Sequence, residues 1–131
     1  MTTEEFIRDL CAAAGEDTEG VFLRGRREGW LEAEDELFAT RSIARKNIAR
    51  ILHMYLLKVK KKPDLKNIDP AHELKDLYDC RICANHVAQI YCRGIMHARN
   101  LMRDGQFLWF DLEGESDDNE ASEFIRRTLE I

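Results

Sequence analysis

Proline and glycine are scarce, at two and seven residues in a chain of 131. That scarcity excludes a turn-rich sandwich or barrel and favours helices. No apolar run approaches the roughly 18 residues that a membrane-spanning helix needs, so no membrane insertion is expected. Cysteines number four, too few for a disulfide scaffold. Basic residues are outnumbered, 20 against 25 acids, and the net charge of −5 excludes a generically basic nucleic-acid binder. Met1-Thr-Thr-Glu-Glu5 lacks the basic start and apolar run of a secretory signal. Two locations follow: cytoplasmic if residue 1 is the true start, cell envelope if the chain is a fragment of an exported protein.

Apolar residues make up 44% of the chain, enough for the core of one domain. Charge is segregated. Residues 41–62 carry Arg41, Arg45, Lys46, Arg50, Lys58, Lys60, Lys61 and Lys62 with no acid, whereas residues 111–123 carry seven acids and no base. These segments read either as solvated helix faces that pair on folding or as a basic surface for an anionic ligand.

Helical periodicity marks four stripes. Phe6, Leu10 and Ala14 form one, with Thr2 and Glu5 as a capping box and Gly15 as the stop. Ala44, Ile48, Ile51, Leu52, Tyr55 and Val59 predict a helix over about 42–60, broken by Pro63. Cys80, Cys83, Ala84, Val87, Ile90 and Tyr91 form a third stripe ending at Gly94. Ala121, Phe124, Ile125 and Leu129 form the fourth, capped by Ser116 or Asp117. A shorter helix is expected from Val21 to Gly29, a loop over 63–73, and a short strand over Gln106–Phe110.

Cys80-Arg-Ile-Cys83 is followed by His86, Cys92 and His97. A zinc site wants four converging ligands, and a redox pair wants exposure at a helix N-terminus after a strand. Neither context is visible. Cys80 and Cys83 are read as small apolar residues on a buried stripe, and Cys80, Cys83, His86 and Cys92 are kept as the residues a metal would use. His53 is read as a surface or half-buried helix residue, and Trp109 as core cover. There is no phosphate loop, no His-Glu-x-x-His and no nucleophile with a recognisable base, so no enzyme and no cofactor are expected.

Internal repetition links these pieces. Thr2-Thr-Glu-Glu-Phe-Ile-Arg-Asp-Leu10, Ala44-Arg-Lys-Asn-Ile-Ala-Arg-Ile-Leu52 and Asp117-Asp-Asn-Glu-Ala-Ser-Glu-Phe-Ile125 each open a capped amphipathic helix. Val21-Phe-Leu-Arg-Gly-Arg-Arg-Glu-Gly-Trp-Leu31 matches His86-Val-Ala-Gln-Ile-Tyr-Cys-Arg-Gly-Ile-Met96 when Gly29 is set on Gly94. The order resembles the repeats of the S-layer homology family. Arg93-Gly-Ile-Met96 is similar to that family's Gly-Ile-Ile/Met turn, Leu74-Lys-Asp-Leu77 to its Phe-x-Asp-Val opening, and Ile43-Ala-Arg-Lys-Asn-Ile-Ala49 to its Ile-Thr-Arg-Ala-Glu-Phe-Ala element.

The resemblance implies a mainly α fold of helix–loop–helix units around a pseudo-threefold axis, with at most one short strand or hairpin. Residues 1–15 would close a partial repeat, 16–60 and 74–131 would be repeats, and 61–73 a linker. It implies a non-catalytic anchoring module whose ligand is an anionic, pyruvylated cell-wall polysaccharide, with Arg45, Gly29, Gly94 and Trp30 as the candidate binding residues. Trp30 stands where the family places a buried aliphatic residue, so it reads as core packing ahead of a platform for a sugar ring. The chain departs from the family at the arginine: Thr3 and Asp118 stand at the positions matching Arg45, and the family's early Trp is missing. The alternative is therefore a protein-interaction adaptor that kept the scaffold and lost the sugar site. The half-unit at the N-terminus leaves a face for a protein partner, a second copy of the chain included. A small metal or redox regulator using Cys80 and Cys83 is a further alternative.

Overall fold

In a computed structural model, which describes residues 1–101 and 107–131, the stripes fold into a mainly helical domain. Phe6, Ile7, Leu10 and Cys11 put the buried face on α1 (Thr3–Ala13). The Thr2 hydroxyl accepts from the Glu5 N–H at 3.1 Å, and Glu5 accepts in return from the Thr2 N–H at 3.3 Å. This capping box satisfies two of the donors that every helix start leaves open. α2 (Val21–Glu28) ends at Gly29, whose φ of 92° few side chains tolerate. Gly25 inside α2 has a different reason: a Cβ there would stand 2.4 Å from Leu31 Cδ1, so the chain can turn back over the helix only where no side chain exists. The five-residue α3 (Ala33–Leu37) follows.

α4 (Arg45–Lys58) runs through the core and buries Ile48, Ala49, Ile51, Leu52, Tyr55 and Leu56. Its main neighbour is α5 (Ala84–Cys92), which buries Val87, Ala88 and Ile90. α5 ends before Gly94, φ 73°, and the apolar pair Ile95 and Met96 is buried just as Trp30 and Leu31 are after Gly29. α6 (Asp118–Leu129) starts with an Asp117–Glu120 capping box and packs on α1 and α4.

The segments leading into α1, α4 and α6 are bonded to one another. The Thr3 N–H donates to Arg41 O at 3.0 Å and the Ile43 N–H to Met1 O at 3.1 Å. The N–H groups of Arg45 and Lys46 donate to Gly114 O and Leu112 O at 2.9 and 3.0 Å. Two free donors of the α4 first turn thus find partners just upstream of α6.

Three expectations change. The third helix starts at Ala84, not at Cys80. The segment 63–73 is a loop only to Ile68 and then a 3-10 turn, Asp69–Glu73, with a second turn at Leu77–Asp79. The strand over 106–110 is reduced, among the described residues, to isolated bridges from Leu108 to Leu74 and from Trp109 to Arg99; Gln106 lies outside the described residues. No helix of the described residues is long and apolar enough to cross a membrane.

Candidate functional site

Arg45 opens α4 and is 1% exposed. Its Nε donates to Phe110 O at 2.9 Å, Nη2 to His97 O at 2.7 Å and Nη1 to the Ser116 hydroxyl at 3.3 Å. The guanidinium lies 5.0 Å from the Phe110 ring centroid and 5.9 Å from that of Phe124. Burial first, and Arg99 second, lower its pKa from 12.5 to about 10, so it stays charged at neutral pH. Arg45 therefore joins the chain at 97, 110 and 116 to the start of α4.

A second anion-binding element sits beside it. The N–H groups of Phe110, Asp111 and Leu112 converge because Asp111 adopts φ 65°. They are filled from within by Asp76, 4% exposed: Oδ1 accepts from Phe110 at 2.7 Å, and Oδ2 from Asp111 and Leu112 at 2.9 and 3.2 Å. Arg99 holds the other side of the turn through Asp111 at 2.9 Å and Glu120 at 3.2 Å.

Four other cations of the basic segment are likewise turned to internal partners. Arg50 pairs with Asp35 at 2.5 Å, Lys46 with Glu113, and Lys60 Nζ donates to Leu129 O at 2.8 Å. Arg41 lies over the Phe38 ring at 4.2 Å. Only Lys46–Glu113 among these joins the basic segment to the acidic one, and Lys58, Lys61 and Lys62 are exposed.

The other sequence-derived site residues do not gather around Arg45. Trp30 is buried, edge-on to Tyr55 at 5.1 Å, and its Nε1 donates to Glu28 at 3.3 Å, so its faces are not a sugar platform. A Cβ on Gly29 would meet the Lys58 stem at 3.6 Å, which places Gly29 beside the C-terminal end of α4. Arg45 and Lys58 are the two ends of that helix, about 20 Å apart at 1.5 Å per residue. Gly94 closes α5, and no other group lies within 4 Å of where its Cβ would be.

Histidine placement differs most from expectation. His53 is 2% exposed rather than at the surface. Its Nε2 lies 2.7 Å from Asp64 Oδ1, and its Nδ1 lies 2.7 Å from His86 Nδ1. An ionised carboxylate only accepts, so His53 donates from Nε2 to Asp64, and a single proton is shared between the facing Nδ1 atoms of His53 and His86. The Nε2 of His86 has no hydrogen-bond partner among the described residues. Asp64 also accepts from Asn85 at 3.1 Å; these bonds outweigh burial and lower its pKa. Burial, then His53 and Arg50, lower the pKa of His86 from 6.5 to about 4.

Unfolding releases His86 to its ordinary proton affinity, so between pH 6.5 and 4 the unfolded chain holds more protons. Stability must fall as pH drops through that window. The expected loss from His86 between pH 7 and pH 5 is about 1 to 2 kcal/mol, discounted for its partial exposure. Urea midpoints at the two pH values check this, and His86→Gln should remove that part of the pH dependence.

Cys80 and Cys83 form a disulfide and are half-buried in the turn before α5, which corrects their placement on a buried helix stripe. Cys92 is a free, half-buried thiol and Cys11 a buried one. Among the described residues no group of three or more His, Cys, Asp or Glu side chains could hold a metal ion. The two sulfurs of the Cys-x-x-Cys are bonded to each other, so they are not free to join His86 and Cys92 around one. No protein-family model, curated protein or solved structure matches this chain.

Proposed function

We propose that the chain is a non-catalytic protein-interaction module on an S-layer-homology-like scaffold, in which the inherited arginine serves the fold. The carrying observation is Arg45, which is buried and spends its three nitrogens on Phe110, His97 and Ser116. The neighbouring nest of N–H groups is occupied by Asp76. Both devices suited to an anionic ligand are thus filled by the chain itself.

The scaffold reading draws support from the two matched turns at Gly29 and Gly94 and from the bonded lead-in segments of α1, α4 and α6. In this reading those three are the closing helices of one partial and two complete units around a pseudo-threefold axis. Each unit leaves an apolar face that its neighbour covers. Exposed Leu23, Leu37 and Phe38 on and after α2 and α3 provide apolar surface for a protein partner.

A second reading keeps the anionic cell-wall polysaccharide. Its support is a 200 Å³ cavity at the edge of α6 lined by Arg45, Arg99 and Arg127 together with Glu120 and Glu123. Co-sedimentation with cell-wall sacculi, with and without their secondary polysaccharide, separates the two. The interaction reading expects no polymer-dependent binding at any salt. Polymer-dependent, salt-sensitive binding that Arg99→Ala or Arg127→Ala weakens would replace it with the anchoring one.

A further inference from the structure

The Cys80–Cys83 disulfide is the reactive group that the interaction reading does not use. It spans a tight turn in which the Cys83 N–H donates to Cys80 O at 3.2 Å and the Ala84 N–H to Arg81 O at 3.3 Å. Ile82, between the two cysteines, is 90% exposed. Cys83 is the N-cap of the nine-residue α5, and its carbonyl accepts the first helical bond, from the Val87 N–H at 2.9 Å. The N–H groups of Asn85 and His86 have no acceptor among the described residues. The positive end of α5 is therefore open beside the Cys83 sulfur.

The two sulfurs border different cavities. Cys80 lines one of 440 Å³ with Arg81, Ile82 and the carboxylates of Asp79, Asp76, Asp111 and Glu113, the last three already paired with N–H groups, Arg99 and Lys46. Cys83 lines one of 200 Å³ with Glu32, Lys46, Arg50 and His86. The first gives an incoming group access to Cys80. The second places His86 beside Cys83, with Lys46, which pairs with Glu113, and Arg50, which pairs with Asp35, in the same wall.

We propose that Cys80–Cys83 is a thiol–disulfide exchange centre whose partner is a dithiol protein, attacked at Cys80 and releasing Cys83. A thiolate of the partner bonds to the Cys80 sulfur, the Cys80–Cys83 bond breaks, and its electron pair leaves on Cys83. That thiolate is stabilised by the open N–H groups at the start of α5. The partner's second thiol, deprotonated, then attacks the partner sulfur of the mixed disulfide and expels Cys80 as a thiolate. The partner ends as a disulfide, and two electrons and two protons have passed to Cys80 and Cys83. In the reverse direction the Cys83 proton leaves to solvent before the Cys83 thiolate attacks Cys80.

The test uses the full chain with dithiothreitol as the probe dithiol, followed by alkylation and peptide mass mapping, which separates Cys80 and Cys83 from Cys11 and Cys92. Reduction should leave the helical circular dichroism unchanged. The pH profile of iodoacetamide alkylation of Cys83 should have its midpoint below about 7.5, against about 8.5 for an ordinary thiol. That profile is measured both in reduced wild type and in Cys80→Ser, so a folding defect of the variant does not hide the answer. In Cys83→Ser, oxidised glutathione should form a persistent mixed disulfide with Cys80. A Cys83 midpoint at or above about 8.5, or reduction that melts the helices, overturns the exchange centre and leaves a structural bridge.

Discussion

Arg45→Ala should cost about 3 to 5 kcal/mol of stability, among the largest losses any single substitution in this chain would cause. The truncation strips charge-assisted bonds from Phe110 O and His97 O and a third bond from the Ser116 hydroxyl. It also empties the space between the Phe110 and Phe124 rings. Removing the cost of burying the charge offsets part of the loss, which keeps the figure below the sum of three bonds. Arg45→Lys should not rescue. A lysine keeps the charge buried yet cannot present the planar fork that reaches three separated acceptors. Arg45→Met fills most of the volume without a charge and should be milder than Arg45→Lys. Urea unfolding followed by circular dichroism ranks the three. A loss under about 0.5 kcal/mol for Arg45→Ala, the range of surface substitutions, would remove the arginine from its structural role.

Asp76→Ala should be of similar size, about 3 to 4 kcal/mol, because it leaves the N–H groups of Phe110, Asp111 and Leu112 without their acceptor. Asp111 also depends on that carboxylate to hold its left-handed φ of 65°. Asp76→Asn is the sharper probe. Its amide keeps the shape but has one oxygen, so at least one N–H must face an NH2 group, at about 1 to 3 kcal/mol. Arg45 and Asp76 act on the same residue, one through the Phe110 carbonyl and the other through its N–H. The double variant should therefore lose less than the sum of the single losses, by about 0.5 to 3 kcal/mol. Strict additivity would mean that the two hold the chain independently.

Where local chemistry determines structure, it was readable in the residues. The Thr2–Glu5 box, the α4 stripe, the α6 start at Asp117 and the glycine turns at 29 and 94 all depend on neighbours within a few positions. α3 was missed because five residues, four of them Ala, Glu or Asp, show no apolar stripe. The stripe of α5 ran on into Cys80 and Cys83 because periodicity counts cysteine as apolar and cannot tell a tight turn from a first helical turn.

Long-range partners were out of reach. His53 meets His86 across 33 positions and Asp64 from within the loop, and nothing in the local pattern pairs them. The same applies to Arg45. Its place at a helix start was legible, and so was its chemistry toward anions, but not its direction. That direction depends on carbonyls 52 and 65 positions away and on a hydroxyl 71 away. Asp76 was noticed only within the Leu74–Leu77 resemblance, and its role required the fold of residues 110–112.

The most direct measurement is hydrogen exchange of the Arg45 side chain Nε–H, read in a nitrogen-15 correlation spectrum and assigned by its absence from Arg45→Lys. An Nε–H buried against Phe110 O should exchange far more slowly than those of the exposed Arg26 and Arg27. It should also keep its position when anionic cell-wall polysaccharide is added. Exchange as fast as at those surface arginines, or a shift on adding the polymer, would show that Arg45 faces solvent and ligand and would contradict its role as an internal bolt.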